Sequence, residues 1–141
     1  MSKIKQVIVI RKDLKMRRGK EIAQGSHASL AFLTRRIQKY EAESDKAKEP
    51  LDFYFFMTDV EREWINGIFR KICLQAQSEE ELLAVYEAAK EIGLEAHLIT
   101  DAGITEFNGV STHTAVGIGP DLDERIDTIT GPEGKFPLKL Y

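Results

Sequence analysis

The sequence predicts an α/β fold, a single three-layer domain whose mixed sheet of about four strands is flanked by helices. A β-branched run at residues 4–10 is typical of a buried strand. Residues 20–40 have helical periodicity, and the whole chain, with its later segments, has the predicted order βα(α)βαββα. A length of 141 residues is ordinary for one domain, so we expect residues 1–141 to form it.

The first long helix follows a polar, basic connection at residues 11–19. Lys20, Gln24 and His27 are spaced i, i+4 and i+7, which places them within a sector of about 60°. We expect this stripe to lie outside the core, because a second set of positions forms an apolar face roughly opposite to it. That set comprises Ile22, Ser26, Ser29, Leu30, Leu33 and Ile37.

The middle of the chain predicts two helices around a strand. Asp59 is a candidate cap for a short helix, and residues 71–76 alternate as a strand does. Ser78 with Glu81 forms a capping box that starts the next helix, which we expect to end at Gly93.

The last third predicts strands at 96–99 and 112–118, the second ended by Gly119-Pro120, and an acidic helix at 121–129. The segment 41–58 is harder to assign. Its aromatic run at residues 53–57 fits a short strand, a lid or a subunit contact.

Composition narrows the class of protein. The chain is 43% hydrophobic and 30% charged, as folded globular proteins are, and we expect no membrane span. The apolar run near the amino terminus is too short for a signal-peptide core. Cys73 is the only cysteine, which excludes an intrachain disulfide, argues against a zinc cage and fits a reducing cytoplasm.

Charge is distributed unevenly along the chain. The net charge is −3, yet residues 1–40 contain 11 Lys or Arg and only two acidic residues, so this segment is strongly basic and the remainder strongly acidic. Such an asymmetry indicates a polyanionic partner for the basic end. A solvated surface that balances itself across the fold is the alternative.

Two segments are candidates for chemistry. Cations at Lys12, Lys15, Arg17 and Arg18 precede the helix that contains Lys20, where free N–H groups and the helix dipole favour an anion or oxyanion. The simpler interpretation is a set of solvated surface charges. No G-x-S-x-G elbow, Walker loop or H-E-x-x-H motif occurs.

The second segment is the turn at residues 101–105, which follows a predicted strand. Asp101 and Thr105 can converge with Lys20 if both segments leave the same sheet edge, where sites in α/β folds collect. Alternatively, Asp101 only caps the turn.

The two segments belong to a larger pattern. RKDLKMRRGKEIAQGSHASL (residues 11–30), LITDAGITEF (98–107), THTAVGIGP (112–120) and the terminal LKLY (138–141) occur in this order. Together they resemble the type II peptidyl-tRNA hydrolases, the class typical of archaea and eukaryotes.

The resemblance implies a mixed four-stranded sheet in a family whose members are commonly dimeric. It also implies hydrolysis of the ester that joins a peptide to the 3′ end of tRNA, without a cofactor. The implied catalytic residues are Lys20, Gln24, Asp101 and Thr105. His27 and Thr112 would lie nearby, and contacts to tRNA phosphates are implied for Lys12, Lys15, Arg17 and Arg18.

Three departures from the family pattern keep other functions open. Residues 41–58 look longer than the usual connection, Ile104 replaces a residue that is often basic or polar, and residues 133–137 extend the tail. The alternatives are a non-catalytic RNA or protein adaptor on the same fold, and a deacylase of a different acyl-tRNA.

Overall fold

The computed structural model describes residues 3–43 and 56–141. Its elements confirm the predicted order of strands and helices. They are β1 (Ile4–Arg11), α1 (Arg18–Glu43), α2 (Asp59–Asn66), β2 (Lys71–Ala76), α3 (Glu79–Glu91), β3 (Ala96–Asp101), a 3₁₀ turn (Phe107–Gly109), β4 (Thr112–Leu122) and α4 (Asp123–Thr130).

One mixed sheet organises the domain, with its strands in the order β2-β1-β4-β3. β1 runs parallel to β2, and β4 is antiparallel to both β1 and β3. β1 is buried along nearly its whole length, which explains its continuous apolar run. Helices α1 and α2 cover one face, and α3 and α4 cover the other. The predicted α/β class, with about four strands flanked by helices, is confirmed.

Helix α1 approaches the sheet very closely at Gly117 in β4. A Cβ atom at this position would lie 2.1 Å from the backbone oxygen of Ala28 in α1. Because neither residue has a large side chain, the helix packs almost backbone to backbone on the strand. This contact fixes the height of α1 above the sheet, and with it the position of the side chains on its inner face.

The predicted apolar face of α1 is wrong. Ile22 and Leu30 are 63% and 52% exposed, whereas Gln24, Ala28 and Phe32 are buried against the sheet. Two physical reasons account for the error. Small residues suit the close approach of α1, and a buried glutamine is tolerated because its polar atoms are hydrogen-bonded. The stripe of Lys20 and Gln24 therefore faces the sheet.

Several boundaries also differ from the predictions. β4 does not end at Gly119-Pro120, a cis peptide, but continues to pair with β1 as far as Leu122, and α4 starts at Asp123. The cap of α2 is Thr58, whose side chain accepts a hydrogen bond from the backbone N–H of Glu61.

The capping box predicted for α3 is present only in part. The Ser78 side chain accepts a hydrogen bond from the Glu81 N–H, as predicted, but the Glu81 carboxylate accepts from the N–H of Gln77. The helix ends at Glu91, and Gly93 beyond it adopts a positive φ of 81°.

The segment 41–58 lies mostly outside the described residues, which resume at Phe56. Of the aromatic run, only Phe56 and Met57 are described, and the Phe56 side chain is exposed. Among the described helices, none combines the length and apolar character that a membrane span requires.

Candidate active site

An ion pair between α1 and β3 forms the centre of the candidate site. Lys20 Nζ lies 2.8 Å from Asp101 Oδ1 and donates a second hydrogen bond to Thr105 Oγ1 at 2.9 Å. The side chains of Lys20 and Asp101 are each 14% exposed, so the pair is largely shielded from solvent but still accessible. The predicted convergence of the two segments is therefore observed.

A short turn after β3 holds Asp101 in place. The backbone N–H of Gly103 donates to Asp101 Oδ2 at 2.8 Å, an interaction typical of an aspartate that starts a turn. Gly103 has a φ of 80°, and a Cβ atom there would lie 2.3 Å from the carbonyl oxygen of Val110. Only glycine fits this position, so the D-A-G sequence both turns the chain and orients the carboxylate.

Gln24 links the ion pair to the core. Its Nε2 donates to Asp101 Oδ1 at 3.2 Å, and its Oε1 accepts a hydrogen bond of 2.5 Å from the Thr114 hydroxyl. Gln24 and Thr114 are 2% and 0% exposed. Because a hydroxyl occupies Oε1, the amide must present its N–H groups to the carboxylate.

Thr114 reaches Gln24 because of a bulge in the sheet. The register between β3 and β4 shifts at Ile99 and Thr100, which pair with Ala115 and His113 and leave Thr114 as the extra residue. A bulge re-aims the side chains beside it, and here one points a buried hydroxyl at α1. Thr114 could not be identified from the sequence, since a period-two pattern gives no indication of a bulge.

The hydrogen bonds around Asp101 determine its ionisation. The Lys20 ammonium lowers the pKa of the Asp101 carboxyl from its ordinary value, against the effect of desolvation, and the Gly103 N–H and the Gln24 amide lower it further. Asp101 is therefore a carboxylate at neutral pH and a weak base. Its role is better suited to orienting a water molecule than to holding a proton.

The cluster retains unused hydrogen-bonding capacity. A lysine ammonium has three N–H groups, and among the described residues the acceptors of Lys20 are Asp101 and Thr105, which leaves one N–H. Thr105 accepts from Lys20, so its own O–H remains to donate. Asp101 Oδ2 accepts from Gly103 and has a second lone pair. The cluster therefore combines two unused donors with a carboxylate acceptor.

The match to known proteins identifies the family. The model of the family described as peptidyl-tRNA hydrolase PTH2 matches residues 4–137. This chain belongs to the PTH2 family. A peptidyl-tRNA hydrolase of Methanopyrus kandleri is 42% identical over 131 residues, which cover 90% of this chain and 93% of the relative. Those of Methanothermobacter thermautotrophicus and Methanocaldococcus jannaschii are each 40% identical, covering 91% of this chain and 96% of each relative. The resemblance to the type II enzymes is confirmed.

The PTH2 site residues that the resemblance implied divide into two groups. Lys20, Gln24, Asp101 and Thr105 are joined by direct hydrogen bonds. His27 is exposed one turn further along α1 and, among the described residues, makes no hydrogen bond to the cluster. Thr112 pairs with Asp101 in the sheet, but its hydroxyl donates to the Val110 carbonyl.

Basic residues at and before the start of α1 form the rim of the candidate site. Lys12, Lys15 and Arg18 are exposed, and Arg17 is paired with Glu106 at 2.8 Å while its side chain remains 77% exposed. Arg11 at the end of β1 holds the connection, since its guanidinium donates to Asp13 and to the carbonyl oxygen of His113. The positively charged rim therefore borders the cluster on the side where α1 begins.

Proposed function

We propose that this chain hydrolyses the ester between a peptide, or an N-blocked aminoacyl group, and the 3′ end of tRNA, and so recycles the tRNA. The reaction uses an activated water molecule without a metal ion. The observation that carries the proposal is the hydrogen-bonded cluster of Lys20, Gln24, Asp101 and Thr105 on the PTH2 fold. Its free donors and its carboxylate match what ester hydrolysis needs.

Asp101 orients the attacking water through the free lone pair of Oδ2. The hydrogen bonds from Lys20, Gln24 and Gly103 keep the carboxylate ionised and fixed, so the water is held before the substrate carbonyl without reorganisation. Because the pKa of Asp101 is lowered, it passes the water proton on rather than retaining it.

Lys20 and Thr105 stabilise the tetrahedral intermediate. In this proposal the unused N–H of Lys20 and the O–H of Thr105 donate to the carbonyl oxygen of the ester as it gains negative charge. Water adds to the carbonyl carbon, the bond to the ribose oxygen breaks, and the proton released by the water ends on that oxygen. Gln24 contributes by holding Asp101, since both ends of its amide are engaged within the protein.

The basic rim binds the tRNA backbone in this proposal. Lys12, Lys15 and Arg17 are exposed and precede the helix that contains Lys20, and Arg18, also exposed, is the first residue of that helix. Phosphate contacts by these residues would place the 3′ end at the catalytic cluster, with His27 and Thr112 shaping its walls. Such contacts make KM rise with salt, because bound phosphates release counterions.

A hydrolysis assay tests the proposal. Purified parent protein, treated with a chelator, is incubated with N-acetyl-aminoacyl-tRNA and with free aminoacyl-tRNA, and release of tRNA is measured. We expect cleavage of the blocked substrate, and Lys20→Met should lower kcat by about 10²–10³. Lys39→Met, at an exposed position of α1, is the matched control. Parental activity in Lys20→Met, or cleavage of the free aminoacyl ester alone, would refute the proposal.

We also propose that residues 1–141 act as one domain, with 41–58 as a family-variable insertion, and work as a homodimer in the cytoplasm. An apolar groove of about 540 Å³ beside α1 supports self-association, because Ile22 and Leu30 line it and are largely exposed. Sedimentation should show a dimer that Ile22→Glu dissociates. A parent protein that sediments as a monomer at micromolar concentration would contradict this.

A further inference from the structure

A second, polar cleft adjoins the catalytic cluster. It has a volume of about 370 Å³ and lies between α1 and β3, with His27, Thr34, Arg35, Gln38, Ile99 and Thr100 among its lining residues. We call it the seam cleft. It lies next to the site along both elements, because His27 follows Gln24 by one helical turn and Thr100 immediately precedes Asp101.

The seam cleft extends away from the basic rim. The rim residues, at positions 12 to 18, end at the first residue of α1, whereas the cleft spans positions 27 to 38 of that helix, a length of about 16 Å at 1.5 Å per residue. An ester has an acyl half and an alcohol half that leave the reacting carbon in different directions. If the rim holds the tRNA half, the seam cleft lies on the side of the acyl half.

The chemistry of the seam cleft suits a peptide main chain. The Gln38 amide can both donate and accept. The hydroxyls of Thr34 and Thr100 already lie 3.5 Å from the Ala31 carbonyl oxygen and 2.9 Å from His113 Nδ1, and each keeps a lone pair that can accept from a peptide N–H. A length of about 16 Å accommodates about five residues of extended chain. Recognition of this kind does not depend on peptide sequence.

Arg35, which lines the seam cleft, already contacts two residues of the protein. Arg35 donates to the Leu98 carbonyl oxygen at 2.5 Å, and its other terminal nitrogen lies 3.1 Å from His97 Nδ1. Both partners belong to β3, so the guanidinium lies across the strand rather than projecting as a free cation. Because these N–H groups are engaged, the guanidinium offers fewer donors to a phosphate group, while it keeps its positive charge.

We propose that the seam cleft binds the residues of the peptide next to the ester, in extended form, through main-chain hydrogen bonds. The inference rests on the proposed function, since it assigns the acyl half of the same substrate. It adds a binding site for the nascent peptide to a catalytic cluster that would otherwise contact only the ester.

The test compares two substrates that share one tRNA, N-acetyl-aminoacyl-tRNA and a pentapeptidyl-tRNA of small polar residues. For the parent we expect kcat/KM to be about tenfold higher with the longer peptide, the contribution of two ordinary hydrogen bonds. Thr34→Trp should fill the cleft and abolish this preference, mainly through KM. Gln38→Trp provides a second, independent variant. Lys39→Trp, next in sequence but outside the cleft lining, should keep the preference.

Each other outcome overturns the inference. Equal losses on both substrates, with unchanged thermal unfolding, would assign the seam cleft to the 3′ end of the tRNA. An unchanged preference in both tryptophan variants would show that the peptide lies elsewhere. A parent protein that cleaves neither substrate would refute the proposed function itself, and is thereby distinguished from failure of the seam cleft alone.

Discussion

Replacing Thr114 by valine removes one hydroxyl from beneath the proposed catalytic cluster and leaves the shape of the side chain almost unchanged. Thr114 is fully buried, and its hydroxyl donates to Gln24 Oε1 at 2.5 Å. In the variant this oxygen has no donor. The amide can then keep its orientation with an unpaired oxygen, or turn over and present that oxygen to the Asp101 carboxylate.

Either result has a predictable magnitude. A buried polar atom left without its partner costs about 1–3 kcal/mol. If the same free energy is added to the activation barrier because Asp101 is less well oriented, kcat falls about 5- to 150-fold, since 1.36 kcal/mol corresponds to a factor of ten. KM should change little, because Thr114 lies beneath the cluster and away from the exposed surface that meets substrate.

The assay is steady-state hydrolysis of N-acetyl-aminoacyl-tRNA by the parent, Thr114→Val and Thr114→Ser. Serine retains the hydroxyl, so it should restore most of the missing kcat, and unfolding by urea shows whether stability changes in parallel. A valine variant with the parental kcat would refute the role assigned to the Thr114 hydroxyl, as would a serine variant no better than valine.

Three further variants test the fold, the acid stability and the tRNA contact. Gly117→Ala should destabilise the protein by about 1–3 kcal/mol in urea unfolding, because the new methyl group meets the Ala28 carbonyl. Glu95→Gln should cost about 1 kcal/mol at pH 7, a value reduced for solvent screening, and nothing near pH 2. Lys12→Gln with Arg18→Gln should lower the slope of log KM against log salt by about 0.7–0.9 for each phosphate that the variant no longer binds.

Two partners lower the pKa of Glu95, and this determines how its contribution to stability depends on pH. A hydrogen bond with His97, and then the pairing with Arg36, lower the pKa of Glu95 to about 2 from an ordinary value of 4.5. A carboxyl whose pKa falls on folding stabilises the protein above its unfolded pKa, and this contribution disappears as pH falls from about 4.5 to about 2. A Glu95→Gln difference that persists at pH 2 would contradict the reasoning.

Gly117→Ala and the double variant of Lys12 and Arg18 each have a matched control. Gly19→Ala, where a methyl group meets nothing within 4 Å, should be neutral or stabilising by up to about 1 kcal/mol. A Gly117→Ala variant as stable as Gly19→Ala would show that α1 does not approach β4 so closely. Lys135→Gln should leave the salt dependence unchanged, since Lys135 follows α4 on the opposite face of the sheet. An unaltered slope in the Lys12 and Arg18 double variant would remove these residues from the tRNA interface.

Patterns set by local physics could be read from the sequence. The buried run of β1, the Ser78 cap of α3 and the D-A-G turn each depend on a few neighbouring residues, and all three are found. The residues of the cluster, Lys20 and Asp101 among them, could be named because two distant motifs occur together and resemble one family.

Features set by long-range contacts could not be read in this way. Hydrophobicity alone predicts an apolar face of α1 that contains Ile22 and Leu30, because it does not show that Ala28 fits against Gly117. The burial of Gln24 depends on Thr114, and Thr114 reaches it only through a bulge in β4. Such features depend on pairing between elements far apart in the chain, which no local pattern encodes.

The central claim is that Lys20 and Asp101 act as one catalytic unit, and a double-mutant cycle on kcat tests it most directly. We predict that Lys20→Met and Asp101→Asn each lower kcat for N-acetyl-aminoacyl-tRNA by about 10²–10³. The kcat of the double variant should be no more than about tenfold below that of the less active single variant, because the effects of substituting groups that act together are not additive. Parental activity in either single variant, or losses that multiply in the double variant, would contradict the claim.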